Sequence, residues 1–200
     1  MTAGTGRHDP DGYAGLPVGA FLDALAAGSP SPAGGSAAAL VLAQAAALCA
    51  KSARLSASQL TAGRAEKLTN EAEHIRARAA SLIDDDPLAY QAVLKALRRR
   101  ADVAPGAEDA GAGLTAALSA AANVPLRLVE LAVPVTAIAV TLAADGKPAL
   151  RGDAQAAGLL AQAAARAAAC LVHINLAGSP GDARHARADA LLASIDEQLA

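Results

Sequence analysis

The chain has 200 residues, a formal net charge of -2 and a composition that is 54% hydrophobic but only 2% aromatic. That balance carries no electrostatic footprint for nucleic acid or an anionic membrane surface, and the length fits one domain. A core of Ala, Leu, Val and Ile lets helices approach closely but buries little apolar area per residue. A second copy is therefore expected to cover further helix faces, giving at least a dimer.

Residues 1–15 are rich in Gly, Asp and Pro and read as a flexible arm. They lack the long apolar core of a signal peptide, so a cytoplasmic location is expected. Residues 16–200 read as one helical domain. Phe21, Leu22, Leu25 and Ala26 follow a helical period over 18–27. A Ser/Pro/Gly loop ends that helix and feeds, through Gly34, Gly35 and Ser36, a second helix over 35–56. The apolar run 37–50 is short, interrupted by Gln44 and followed by Lys51 and Arg54, which predicts a buried helix and no membrane span.

A polar-faced helix is predicted over 62–83. Asp84-Asp85-Asp86-Pro87 then reads as a fresh helix start, since Asp caps well and Pro suits the first helical position. That helix should run to Arg100, where Arg98, Arg99 and Arg100 complement its dipole. A loop is predicted over 101–113 and a helix over 114–122. Pro125 restarts the pattern, which continues to 143 with a kink at Pro134. A turn at Asp145-Gly146-Lys147-Pro148 precedes a helix over 152–176, and a last amphipathic helix covers 182–199. No strand-like alternation persists. The expected fold is all-α, a single bundle of seven or eight helices, dimeric.

A glycine-rich turn opening onto a helix presents free N–H groups and the positive end of a dipole, a place to hold an anion. The same small residues also suit a tight helix crossing with Ser36 as cap. Lys51, a charge in an Ala-rich helix, should face a cavity, an interface or a carboxylate such as Asp86 or Asp153, or else snorkel to solvent. Cys49 and Cys170 read as small hydrophobes. His173 has no companions at metal-ligand spacing, so no metal site is expected.

In its glycine loop and later motifs the chain resembles the cyclodeaminase/cyclohydrolase family. That family includes the C-terminal domain of formiminotransferase-cyclodeaminase and free-standing methenyltetrahydrofolate cyclohydrolases. Pro32-Ala33-Gly34-Gly35-Ser36 resembles its Pro-Gly-Gly-Gly-Ser loop, and Asp86-Pro87-Leu88-Ala89-Tyr90 its Asp-x-x-Ala-Phe/Tyr. Val124-Pro125-Leu126 resembles its Val-Pro-Leu. Arg151-Gly152-Asp153 and Ile174-Asn175-Leu176 resemble its last two motifs.

The resemblance implies an all-helical, dimer-forming domain that acts on a reduced folate, with no tightly bound cofactor. The implied reaction is hydrolysis of methenyltetrahydrofolate to formyltetrahydrofolate. The alternatives are cyclodeamination of formiminotetrahydrofolate with release of ammonia, and a homologue that binds folate without catalysis. The bridge carbon is cationic and its hydrolysis needs a base and then an acid. Asp86 and Asp153 match family positions for such a carboxylate, although read from the residues alone each is first a helix cap. Gly34, Gly35 and Ser36 would cradle an anionic group of the substrate. Lys51 and Arg151 would suit its carboxylates, and Asn175 its pterin or a water, or else a tie between helix backbones. The chain departs from the family pattern at Ala33, Lys51, Ala110, Gly146-Lys147 and Leu171, which keeps the non-catalytic alternative open.

Overall fold

A computed structural model describes residues 12–102 and 108–200, the side chains of 108–110 excepted. Most of the expected arm and the centre of the loop predicted over 101–113 lie outside the described residues, as does the side chain of Ala110. The described residues form α1 (Val18–Ala26), α2 (Gly34–Leu55), α3 (Arg64–Ala101), α4 (Glu108–Ala121), α5 (Asn123–Asp145), α6 (Arg151–Asn175) and α7 (Ala183–Leu199). A short 3-10 turn, Pro148–Leu150, leads into α6. No strand occurs among them, and the all-α class holds.

Helix α2 is the axis of the bundle, packed against α3, α5 and α6. Its inner face is small: Ala39, Ala45, Ala46, Ala50 and Ala53 are fully buried beside Leu42. Small side chains allow the close approach, while the larger Leu128, Val129, Val135 and Val172 of the neighbouring helices fill the space around them. Helices α2 and α6 run antiparallel. A Cβ on Gly34, at the start of α2, would lie 3.9 Å from Leu171 near the end of α6. At the far end, Lys51 meets Asp153 in the first turn of α6.

The clearest departure from expectation is α3. The Asp84-Asp85-Asp86-Pro87 stretch does not start a helix. It lies inside one continuous helix of 38 residues with Pro87 in its interior. An interior proline cannot donate to the carbonyl four residues back, here Ile83, and that buried acceptor needs another donor. Ser36 supplies it: its hydroxyl donates to the Ile83 carbonyl at 2.8 Å. The helix survives its proline because α2 repairs the missing bond.

The C-terminal half of α3 packs with α4 around a small separate cluster of Val93, Leu114 and Ala121. α7 closes the bundle over α5 and α6, capped by Asp182, whose carboxylate accepts from the Arg184 N–H at 3.0 Å. By length and composition alone, three stretches are apolar enough to cross a membrane: Gly34–Leu55, Gly111–Asp145 and Pro148–Asn175. Their most apolar windows are 56%, 56% and 44% buried inside the fold.

Candidate active site

The start of α2 is an anion site, and a carboxylate of the protein itself occupies it. The Ser36 N–H donates to Asp86 Oδ2 at 3.2 Å. A Cβ on Gly35 would fall inside the Asp86 carboxylate, so only glycine lets the acid approach the backbone. Gly34 has no such constraint. Ala33 stands where the family has glycine, but its φ of -138° is extended backbone open to any residue. The change at Ala33 therefore leaves the loop geometry intact.

Asp86 is half-buried. Burial pushes its carboxyl above the ordinary aspartate range, and the hydrogen bond from the Ser36 N–H pulls partly the other way. The single hydroxyl proton of Ser36 goes to Ile83, which is the shorter contact. The 3.5 Å contact between Ser36 Oγ and Asp86 Oδ2 is then one that a protonated carboxyl can donate. The arrangement thus tolerates both protonation states, as an acid-base group requires. Neither residue is a cap in the expected sense. The N-cap of α2 is Ala33, Ser36 is the third residue of the helix and fully buried, and Asp86 lies mid-helix.

Two features at this end were not foreseen. Asp84, two residues before Asp86 on α3, accepts the Tyr13 N–H at 2.6 Å and the Ala14 N–H at 3.4 Å. The Tyr13 hydroxyl donates to the Ser31 carbonyl at 3.3 Å, pinning residues 12–16 beside the glycine loop. The sequence signal for this was slight: a Tyr between two small residues in a segment of turn composition. Asn175 belongs to the same end, being the last residue of α6 and one turn beyond Leu171. It is half-buried, and its side chain makes no hydrogen bond among the described residues.

The other expected site residues are elsewhere. Lys51 and Asp153 form an ion pair of 2.7 Å at the opposite end of the α2–α6 pair, with side chains 54% and 37% exposed. Sixteen residues of α2 separate Gly35 from Lys51, about 24 Å at the helical rise. Within one chain, then, Asp86 and Asp153 cannot act on the same bond. Asp153 is in the first turn of α6, where it complements the dipole, but the N-cap there is Leu150. Arg151 is exposed and lines a shallow cleft of about 280 Å³ with Val140, Gln155 and Leu199, away from Lys51. No group of three or more His, Cys, Asp or Glu among the described residues could hold a metal ion.

The all-helical fold that positions these residues has a counterpart of known structure. The fold matches the crystal structure of formiminotetrahydrofolate cyclodeaminase from Thermotoga maritima with a TM-score of 0.77. The two are 24% identical, and the match covers 92% of this chain and 90% of that one. The family model for formiminotransferase-cyclodeaminase matches residues 17–191, and the chain belongs to that family. The family and this relative are enzymes of folate metabolism. No curated protein matches the sequence.

Proposed function

We propose that the protein opens the one-carbon bridge of methenyltetrahydrofolate, giving formyltetrahydrofolate, with Asp86 as the general base. The observation that carries this reading is Asp86 itself, a half-buried carboxylate with a raised pKa at a helix start shaped by Gly35. An anionic carboxylate there would also attract the cationic bridge carbon. Water adds its oxygen to that carbon while Asp86 takes the proton. The C–N bond then breaks, the nitrogen takes the proton from Asp86, and the carbinol hydroxyl loses its own proton as the formyl C=O forms. The sum is one water consumed and one proton released. Asn175 would orient the water or the pterin, and Ser36 would act through Asp86 and Ile83 without touching substrate.

The substrate is a reduced folate and no tightly bound cofactor enters. The likeness to a formiminotetrahydrofolate cyclodeaminase favours a second reading on the same carboxylate. In it the second folate nitrogen attacks the carbon of the protonated formimino group, Asp86 takes that nitrogen's proton and passes it to the amino group, and the C–N bond to the departing ammonia breaks. Absorbance of the methenyl group and ammonia release decide between them. Faster loss of methenyl absorbance than in buffer supports hydrolysis. Ammonia from the formimino substrate supports cyclodeamination, and binding without either reaction supports a non-catalytic homologue.

A homodimer fits the exposed faces. On α2, Ala37, Leu40, Val41 and Leu48 form a half-exposed apolar stripe. On α6, Leu159 and Ile174 are 61% and 60% exposed. Apolar surface of this extent is expected to be covered, here by the same surface of a second copy rather than by lipid. A two-fold axis near Gln44, with the two α2 helices antiparallel, would carry Lys51 and Asp153 of the partner subunit toward Asp86. Asp153 would reach the substrate only in that way. Mixing D86N with D153A tests it: heterodimers should regain activity that both parent homodimers lack, and failure to regain any would contradict a shared site.

A further inference from the structure

We infer that Tyr90 is the platform on which the aromatic ring of the substrate stacks, beside the carboxylate of Asp86. The inference rests on the folate reading above. The chain has one Phe, two Tyr and no Trp, so each aromatic placement is informative. Phe21 is 3% exposed and belongs to the core. Tyr13 is half-buried and its hydroxyl is bonded to Ser31. Tyr90 alone is exposed, at 38%, and its hydroxyl makes no hydrogen bond among the described residues.

Its position on α3 is what gives the exposure meaning. Tyr90 follows Asp86 by four residues, on the same helix face, which sets their Cβ atoms about 6 Å apart. Helical side chains lean toward the N-terminus and cover the preceding turn. The ring of Tyr90 therefore leans toward the turn that carries Asp86. A reduced folate carries its aryl ring on one of the two nitrogens that hold the one-carbon bridge. With the bridge at Asp86, that ring falls within one helical turn, over Tyr90. Ring stacking of this kind contributes about three- to tenfold in affinity. The ring, not the hydroxyl, is the operative part, so Phe should serve as well. The same logic sets specificity: a pterin without the arylamine gains nothing from Tyr90.

Binding of 5-formyltetrahydrofolate and of tetrahydropterin, which lacks the aryl group, should be titrated with wild type, Y90F and Y90L. Circular dichroism checks that each is folded. Y90L is expected to bind the folate about three- to tenfold more weakly and tetrahydropterin as wild type does, and Y90F to match wild type for both. In turnover, Y90L should raise KM with kcat nearly unchanged. Equal folate affinity in Y90L and wild type would overturn the inference while leaving the folate reading standing. Equal weakening of both ligands would also overturn it, since a general disturbance of the site would then explain the loss. If wild type binds neither ligand, the folate reading fails and the role of Tyr90 falls with it.

Discussion

The two ends of the antiparallel α2–α6 pair carry the same ingredients and use them differently. At one end a carboxylate, Asp86, is half-buried against backbone N–H and a glycine, and its proton affinity is raised. At the other a carboxylate, Asp153, meets Lys51 in solvent, with both side chains more than a third exposed. Burial without a cationic partner makes a carboxyl hold its proton more tightly than an ordinary aspartate does. An exposed ion pair contributes little to stability. Environment, and not residue type, separates the candidate base from the candidate accessory.

Substitutions that bear unequally on the two ends sharpen this contrast. The largest effect on the fold should come from Gly35→Ala, which drives a methyl into the Asp86 carboxylate. Overpacking of this kind costs about 1–3 kcal/mol, and the displaced Asp86 should lose activity. Gly34→Ala, meeting only Leu171 at 3.9 Å, should leave the melting temperature unchanged or slightly higher. Ser36→Ala comes next. It strips the Ile83 carbonyl of the donor that replaces the missing Pro87 N–H, at about 1–3 kcal/mol by denaturant titration.

Asp86→Asn should leave stability at neutral pH equal or higher. A carboxyl whose value is raised on folding holds its proton more tightly in the folded state. Its contribution favours the fold at low pH and is lost as pH rises from the ordinary aspartate range through the raised value. The gap between the variant and wild type should therefore shrink as pH falls. The smallest effect belongs to the far end: Lys51→Met should change stability by less than about 1 kcal/mol, and that difference should shrink further as salt is added. A large loss there would mean that the two ends are not as different as their exposure implies.

Much of the helical framework was legible because Ala- and Leu-rich runs are bounded by Gly and Pro. The continuity of α3 was not. A proline after three aspartates looks the same at a helix start as in a helix interior, and what decides is the Ser36 hydroxyl on the Ile83 carbonyl, 47 residues apart in sequence. The glycine turn was legible as an anion site, but not that Asp86 is the anion, since that depends on how α2 and α3 pack. Asp153 was legible as a partner for Lys51, one of several that its charge allowed. Its distance from Asp86 was hidden, because residue types do not reveal at which end of a helix pair they meet. Tyr13 was hidden in a segment of turn composition, and its tie to Asp84 spans 71 residues.

The account stands on Asp86 as the base, and the pH profile of methenyltetrahydrofolate hydrolysis tests it most directly. Wild type should exceed the uncatalysed rate and rise with pH through a value above the ordinary aspartate range. D86N, folded by circular dichroism, should lose about 10²-fold or more in rate and lose that rise. A folded D86N that keeps the wild-type rate and profile would contradict the account.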